Sequence, residues 1–220
     1  MRNILEVKDV SYRYRDAAKD EFVLKDINLE FEIGKSYAIK GRSGSGKTTL
    51  LSLISGLEKK YQGMILYDGK NLKKMDLDKY RNRDIGIVFQ SYNLLPQFTA
   101  EENIILSMDI SNTKIKNKKA KALKLMEQVG LDKSLAKRRV LKLSGGEQQR
   151  IAIARSLSYN PKIIIADEPT GNLDKETETE ILKIFNNLAH EENKCVIIVT
   201  HSQNVCDSVD TVFELKKQAK

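Results

Sequence analysis

The sequence predicts an α/β fold with a mostly parallel sheet, an antiparallel β subdomain at the N-terminus and an inserted helical subdomain. Two apolar, β-branched runs, "KIIIAD" (162–167) and "CVIIVT" (195–200), are typical of strands buried on both faces of a parallel sheet. Residues 26–33 alternate between polar and apolar side chains, which predicts a strand with one solvated face. A helical pattern covers residues 181–189, and "TVFEL" near the C-terminus predicts a closing strand.

The first ninety residues carry strand patterns on both sides of a glycine-rich loop. The N-terminal segment "MRNILEVKDV" alternates like a strand, as do the residues from Ile27 to Ile33. The run "KSYAIK" leads into the loop, and the helical pattern "TTLLSLISGL" follows it. Further on, "MILYDGKNL" predicts a strand and a tight turn at Asp68 and Gly69, and "IGIVFQ" predicts a short buried strand.

The segment after this strand changes character and is predicted to be a helical insertion, because it contains no strand pattern. Thr99 and Glu102 have the spacing of a capping box, in which each side chain binds the other residue's backbone N–H. A second helix carries apolar residues at 123, 126 and 129 and is predicted to stop at Gly130. We therefore predict a single domain over residues 1–220, with a core at 1–90 and 158–220 that includes the antiparallel β subdomain, and a helical subdomain at 91–157.

Composition predicts a globular protein of the cytosol. Of the 220 residues, 40% are hydrophobic and 31% charged, and no run reaches the roughly 18 apolar residues of a membrane span. The N-terminus lacks the apolar core of a signal peptide. Cys195 and Cys206 do not have the spacing of metal ligands, so we expect two thiols in a reducing compartment.

The net charge of +8 raises the question of an anionic partner. Many of the lysines lie in "TKIKNKKAKALK" (113–124), which has the pattern of a solvated helix face. No aromatic residues are interleaved with these lysines to stack on bases. We therefore expect no nucleic-acid partner.

The segment "GRSGSGKTT" (41–49) matches the phosphate-binding pattern G-x-x-x-x-G-K-[ST]. Its glycines let backbone N–H groups turn inward around an anion, and the following helix adds the positive end of its dipole. Lys47 is expected to reach the β- and γ-phosphates, and the Thr48 hydroxyl to hold Mg²⁺. The predicted nucleotide contacts are Gly41, Arg42, Ser43, Gly44, Ser45, Gly46, Lys47, Thr48 and Thr49.

Two adjacent carboxylates, Asp167 and Glu168, end the apolar run "IIIADE". At this strand end Asp167 is suited to bind Mg²⁺, directly or through water. Glu168 is suited to act as a general base that takes a proton from the attacking water. The alternative for Glu168 is a solvated charge with no role. The pair favours nucleotide hydrolysis over nucleotide sensing.

Gln90 and His201 each follow an apolar strand pattern, "IGIVFQ" and "VIIVTH". Strand ends in a parallel sheet face the ligand crevice. Gln90 is suited to orient water or to contact Mg²⁺, and His201 to hydrogen-bond a γ-phosphate. Either residue alone would be interpreted as a polar cap, but together they become catalytic candidates.

The stretch "LSGGEQQR" (143–150) predicts a helix start with an unusual first turn. Ser144 is a suitable N-cap, and Glu147 completes the spacing of a capping box. Gly145 and Gly146 fill the first turn, although each costs about 1 kcal/mol relative to alanine. Their backbone N–H groups and the Ser144 hydroxyl are suited to a phosphate that approaches closely. Because the first loop already serves one nucleotide, we interpret the glycines as a sign of a phosphate brought from elsewhere.

These motifs together resemble the ATPase subunit of ABC transporters over essentially the whole chain. The matches are "GRSGSGKTT" as Walker A, Gln90 as Q-loop, "LSGGEQQR" as signature, "IIIADE" as Walker B, "GNLD" as D-loop and His201 as switch histidine. The resemblance implies ATP and Mg²⁺ as cofactors. It also implies that Tyr14 stacks on adenine, with Tyr12 as the alternative.

The resemblance further implies a head-to-tail homodimer with two ATP molecules at its interface. In such a dimer Ser144, Gly145, Gly146 and Glu147 would serve the ATP held by Lys47 of the second copy. Asp174 in "GNLD" would lie at the same interface and link the two sites. Bound ATP would join the copies, and hydrolysis would release them.

Within the family, the chain looks most like the branch that serves lipoprotein release, macrolide or antimicrobial-peptide export and a bacterial cell-division complex. This implies an integral membrane permease as partner and a peripheral position on the cytoplasmic face of the membrane. The alternative is an ABC-type ATPase of a soluble assembly, acting in iron–sulfur biogenesis or on DNA. We also interpret Tyr92, Leu94, Leu95 and Phe98 as a groove outside the core that receives the permease, with packing between subdomains as the alternative.

Three features depart from the family pattern. Ser202 stands where aspartate usually follows the switch histidine, and Val140 replaces a common proline before the signature. The C-terminus lacks the usual Asp-Gly turn after the last strand. None of the three is expected to contact nucleotide.

Overall fold

A four-stranded antiparallel sheet forms the N-terminal part of the structure, a computed structural model that describes residues 3–14, 21–111 and 113–217. Its strand order is β2-β1-β4-β5. The strands are β1 (Asn3–Tyr12), β2 (Leu24–Glu32), β4 (Gln62–Tyr67) and β5 (Lys70–Asn71). Asp68 and Gly69 join β4 to β5 with φ of 50° and 76°, as the predicted tight turn requires. The first two residues of the predicted N-terminal strand lie outside the described ranges.

The second sheet has five strands, and all its neighbouring pairs are parallel. The order is β6-β7-β8-β3-β9, and the strands are β3 (Ser36–Lys40), β6 (Ile85–Val88), β7 (Ile163–Asp167), β8 (Cys195–Thr200) and β9 (Thr211–Glu214). The carboxyl ends of β3, β7 and β8 lie side by side, because Lys40 pairs with Thr200 and Asp167 with Val199. The motifs that follow these strands therefore meet at one edge of the sheet.

Seven helices connect and cover the strands within the described residues. They are α1 (Lys47–Ile54), α2 (Leu77–Arg83), α3 (Ala100–Ile110), α4 (Lys118–Gln128), α5 (Gly145–Ser156), α6 (Lys175–His190) and α7 (Gln203–Asp207). Both predicted capping boxes are present, at Thr99 on α3 and at Ser144 on α5. The chain leaves α4 at Gly130 with φ of 75°, a conformation that favours glycine. The short helices α2 and α7 had no prediction, since each is too short to show a helical period.

The parallel sheet separates two hydrophobic cores, and alternate side chains of its central strands face each of them. In β8, Val196 and Ile198 join the core formed with α3 to α6, whereas Ile197 and Val199 join the core shared with α1 and the antiparallel sheet. This two-residue alternation explains why the strand is apolar throughout. The predicted α/β class with a parallel sheet, an antiparallel sheet and a helical insertion is confirmed.

Residues 91–157 contain α3, α4 and α5, and the described part of this segment has no strand beyond an isolated bridge between Thr99 and Arg139. The three helices pack against one another around Met108, Met126 and Ile153, which are all fully buried. The subdomain limits at 90/91 and 157/158 stay a prediction. In the described ranges, no helix has the length and hydrophobicity needed to cross a membrane.

Both cysteines are free thiols, as expected from their spacing. Cys195 opens β8 and is fully buried, and Cys206 in α7 is 6% exposed. Burial raises the pKa of each thiol above its ordinary value. Neither is therefore a reactive thiolate at neutral pH.

Candidate nucleotide site

The glycine-rich loop lies between β3 and α1, at the edge of the parallel sheet. Gly44 and Gly46 have φ of 76° and 89°, in the left-handed region that favours glycine. A Cβ atom on Gly46 would lie 2.8 Å from Leu24 Cδ2, so a larger residue would also clash there. Gly46 begins α1 without any side-chain cap, which leaves the first N–H groups of the helix without a side-chain acceptor at this end.

The Lys47 side chain hydrogen-bonds back to the start of the glycine-rich loop. Its Nζ donates to Gly41 O at 2.8 Å and to Arg42 O at 3.2 Å. The Ser45 hydroxyl is buried and has no hydrogen-bond partner among the described residues. An ammonium at a glycine-rich helix start without a side-chain cap is suited to an anion, so the geometry fits the predicted phosphate site.

Asp167, the last residue of β7, lies close to Thr48 in the first turn of α1. The pKa of Asp167 is raised by burial and by the neighbouring Glu168, against the opposing influence of Lys47 and of a hydrogen bond from Thr48. The oxygens of Thr48, Asp167 and Gln90 are hard donors of the kind that Mg²⁺ prefers. The described residues contain no group of three or more His, Cys, Asp or Glu that could hold a metal.

Glu168 is held toward the next strand end by three hydrogen bonds. Its Oε1 lies 2.7 Å from His201 Nδ1, and its Oε2 accepts from Thr200 Oγ1 at 3.2 Å and from His201 N at 3.3 Å. The φ of Glu168 is 45°, and a non-glycine residue in this region costs of order 1–3 kcal/mol. Its backbone N–H donates to Val199 O at 2.9 Å, which fixes this conformation. The side chain is only 13% exposed and is not a solvated charge.

Gln90 follows β6 and reaches the same region. A Cβ atom on Gly171, three residues after Glu168, would lie 3.2 Å from Gln90 Nε2, so this glycine makes room for the amide. Gln90, Asp167 and Glu168 line one open cleft of about 370 Å³ together with the loop. The remaining lining residues are Tyr14, Val23, Ser43, Gly44, Gly46, Lys47, Thr48 and Thr49.

The two candidate aromatic residues occupy different environments. Tyr12 ends β1 inside the core and is 9% exposed, whereas Tyr14 lies beyond the strand and is 54% exposed. The Tyr14 hydroxyl lies 3.0 Å from Thr49 Oγ1, and its ring lines the cleft. The two rings contact edge to face, with centroids 5.3 Å apart. Tyr14 is thus the ring available to a base in the cleft.

The "LSGGEQQR" helix start lies outside this cleft. Ser144 and Gly145 are exposed, and the capping box is formed by Ser144 N to Glu147 Oε2 at 2.7 Å and Glu147 N to Ser144 Oγ at 3.2 Å. A Cβ atom on Gly146 would lie 2.7 Å from Thr177 Cγ2, and one on Gly145 would lie 3.1 Å from the Tyr92 hydroxyl. The inference that these glycines need an outside phosphate is therefore incomplete, because packing within the chain also requires small residues here.

Asp174 caps α6 beside this helix start. Its carboxylate accepts from Thr177 N at 2.9 Å and from Thr177 Oγ1 at 2.7 Å. The hydrogen bond from Thr177 N is the main cause that lowers the pKa of Asp174. Since Thr177 also contacts the position of Gly146, the starts of α5 and α6 form one exposed surface.

Residues outside the recognised motifs also shape the site. Arg155 on α5 donates to the carbonyls of Tyr92 and Asn93, which have φ of 60° and 49°. This contact ties the turn after Gln90 to the "LSGGEQQR" helix. Sequence reasoning missed Arg155, Thr177 and Glu178, since nothing in the local pattern distinguishes them from other polar helix residues.

The sequence matches the family described as "ABC transporter" over residues 24–171, which is more than half of the chain. The chain belongs to the ABC transporter family. This confirms the predicted membership and the predicted ATPase class. The protein is an ATP-binding ABC ATPase, and its two-sheet architecture is that of an ABC cassette.

Similar proteins carry related names. A Bacillus subtilis protein named uncharacterized ABC transporter ATP-binding protein YclH is 45% identical over 215 residues, covering 98% of this chain and 94% of that protein. The lipoprotein-releasing system ATP-binding protein LolD of Francisella tularensis is 38% identical, covering 96% and 93%. The ATP-binding cassette MJ0796, solved as a dimer in a post-hydrolysis state with ADP and Pi, has a TM-score of 0.87 at 34% identity, covering 98% and 97%.

Tyr14→Ala is expected to weaken ATP binding by this ABC ATPase about 5- to 150-fold, because stacking of a base on an aromatic ring contributes about 1–3 kcal/mol. Tyr14→Phe should retain most of the affinity, since it keeps the ring and loses only the hydroxyl contact with Thr49. Binding of a fluorescent ATP analogue measures the effect. Unchanged affinity in Tyr14→Ala would remove this residue from the adenine site.

Proposed function

We propose that two copies of this chain close around two ATP molecules and that this closure powers a membrane transporter. The observation that carries the proposal is the exposed helix start at Ser144, an anion-binding geometry that lies outside the chain's own cleft. Two-fold symmetry would bring this surface of each copy to the loop of the other. The dimeric MJ0796 cassette supports the arrangement.

Within each site, this chain's own residues have distinct roles. Lys47 and the loop N–H groups hold the β- and γ-phosphates, while Tyr14 positions the base. Thr48, Asp167 and Gln90 would hold Mg²⁺, which supplies positive charge to the phosphate oxygens. A water molecule attacks the γ-phosphorus, the bond to the β–γ bridging oxygen breaks, and ADP leaves. Glu168 accepts the proton of that water.

His201 orients this general base. Its Nδ1 contact at 2.7 Å and its backbone N–H contact at 3.3 Å hold the carboxylate of Glu168, which lines the cleft. The His201 ring is 69% exposed and thus remains available to a γ-phosphate. Asp174, at the exposed start of α6, would join the two sites across the dimer.

The membrane partner is proposed to be a permease of the lipoprotein-release and export branch. Similarity to a lipoprotein-releasing system ATP-binding protein supports this branch. The chain would then work at the cytoplasmic face of the membrane, bound through its partner.

The predicted groove narrows to two of its four residues. Tyr92 and Leu94 are partly buried and pack against the core formed with α3 to α6, which favours the alternative of packing between subdomains for these two. Arg155 on α5 holds their turn by donating to Tyr92 O. Leu95 and Phe98 are partly exposed, and they remain the proposed permease contacts.

Co-purification tests this function. The tagged chain is isolated from detergent-solubilised membranes of its own cells with ATP present, and the captured proteins are identified by mass spectrometry. A protein with several membrane spans is expected, and Leu95→Asp should lose it. Leu57→Asp is the matched control, because Leu57 is also a partly exposed leucine, 53% accessible, but lies after α1. Capture of soluble proteins alone would contradict the transporter proposal, and full capture by Leu95→Asp would contradict the groove.

A further inference from the structure

The Glu178 carboxylate on α6 connects three segments around Glu168 and His201. Its Oε1 accepts hydrogen bonds from Thr170 Oγ1 at 3.1 Å and from Ser202 Oγ at 3.2 Å. Its Oε2 accepts from Asn204 Nδ2 at 3.1 Å. These donors come from the loop after β7, the residue after His201, and α7. One carboxylate thus binds segments that are separated by about thirty residues in the sequence.

The contact with Ser202 leads directly to the proposed general base. Ser202 N donates to Thr200 Oγ1 at 2.9 Å, and Thr200 Oγ1 donates to Glu168 Oε2 at 3.2 Å. Because the Thr200 hydroxyl has one proton, acceptance from Ser202 leaves that proton for Glu168. Glu178 therefore holds Ser202, and Ser202 in turn orients the Thr200 hydroxyl that donates to Glu168.

The other contact acts on the loop that carries Glu168. Thr170 is 6% exposed and lies two residues after Glu168. Hydrogen bonds to an ionised acceptor are stronger than those between neutral groups, so Glu178 holds this loop and the His201 segment against the same helix. The 2.7 Å contact of Glu168 with His201 spans these two segments.

We propose that Glu178 is a positioning residue for ATP hydrolysis, which holds Glu168 and His201 in contact through Thr170 and Ser202. The inference rests on the proposed roles of Glu168 and His201. It also accounts for Ser202, which stands where aspartate is usual in the family. The carboxylate beside this position comes from Glu178 on α6 instead. Since Asp174 begins the same helix one turn earlier, a partner copy that moves Asp174 would also move this contact.

The test compares Glu178→Ala with the double variant Glu178→Ala/Ser202→Asp in the full chain. Phosphate release at varied MgATP gives kcat and KM, and equilibrium binding of a fluorescent ATP analogue gives Kd. Glu178→Ala is expected to lower kcat about 10- to 100-fold, since small misplacements of catalytic groups have effects of this size. KM and Kd should change less than about twofold, because Glu178 does not line the nucleotide cleft. The double variant returns a carboxylate to the same contact and should recover most of the lost kcat.

Two control variants distinguish a failure of the positioning role of Glu178 from a failure of the general-base assignment of Glu168. Glu191→Ala removes an exposed carboxylate from the far end of α6 and should leave kcat unchanged. Glu168→Gln is assayed in parallel: activity in that variant overturns the general-base assignment itself. Full activity in Glu178→Ala beside an inactive Glu168→Gln overturns the positioning role alone. A loss that Ser202→Asp does not restore would make Glu178 a purely structural residue and also overturn it.

Discussion

Glu168→Gln is expected to lower kcat for ATP hydrolysis by about 10²–10⁴-fold, the usual contribution of a general base. Glutamine has the same shape and its carbonyl oxygen can accept the hydrogen bond from His201, but it cannot take a proton from water. ATP binding should persist, because the loop, Lys47 and Thr48 are untouched. The variant should therefore accumulate as an ATP-bound dimer, detected by size-exclusion chromatography with ATP.

The control for this prediction is Glu191→Gln, the same change at an exposed carboxylate remote from the cleft. It should keep parent turnover and remain monomeric under turnover conditions. A Glu168→Gln protein that hydrolyses ATP at the parent rate would show that another group takes the proton. One that stays monomeric with bound ATP would argue against closure by ATP.

Ser144→Arg is expected to abolish ATP-dependent dimerisation while each chain still binds ATP. The exposed Ser144 lies outside its own cleft, so the bulky cation cannot disturb the nucleotide held in the same chain. In the proposed dimer it would fill the space of the other copy's γ-phosphate. Loss of the donors to a charged transition state typically costs 10²–10³-fold in kcat, and turnover should fall at least that far. Analytical ultracentrifugation and phosphate release measure the two effects.

Loss of the helix cap is a separate effect of the same substitution. Replacing an N-cap side chain costs about 0.5–2 kcal/mol of stability. Thr99→Arg provides the matched control, because Thr99 caps α3 with the same kind of box. That variant should lose similar stability and keep both dimerisation and turnover in the isolated chain. Parent turnover in Ser144→Arg would refute a site shared between copies.

The contact between the starts of α5 and α6 affects how such a dimer would work. Thr177 leaves no room for a side chain at Gly146, and Asp174 caps α6 by accepting from Thr177 N. A phosphate bound at Ser144 and a neighbour bound at Asp174 would therefore act on one rigid surface. Through Glu178, the same α6 helix reaches His201 and Glu168. The geometry thus offers a short mechanical route from dimer closure to the orientation of the general base.

Much of the fold was predictable because the patterns that encode it are local. The apolar run of β8 follows from burial on both sheet faces, and the caps at Thr99 and Ser144 follow from a three-residue spacing. The tight turn at Asp68 and Gly69 needs only its own backbone conformation. The phosphate-binding loop is equally local, since its glycines, Lys47 and Thr48 are consecutive in the chain.

Contacts between distant segments were not predictable, because they depend on which side chains the fold brings together. The sequence left Tyr12 as an alternative to Tyr14, but β1 ends at Tyr12 and buries it while Tyr14 reaches the cleft. Tyr92 and Leu94 pack against the core from outside it, and Arg155, more than sixty residues away, binds their turn through Tyr92 O.

The sequence by itself determined the family, the glycine-rich loop, the adjacent carboxylates at the end of β7 and the longer strands and helices, since each follows from residues close together in the chain. Only the tertiary structure decided why Gly146 is small, which tyrosine lines the cleft and what Glu178 binds. In each case the deciding atom belongs to another segment: Thr177 for Gly146, Thr49 for Tyr14, and Ser202 for Glu178. These distances depend on how the segments pack, and the spacing of residues within one segment does not predict them.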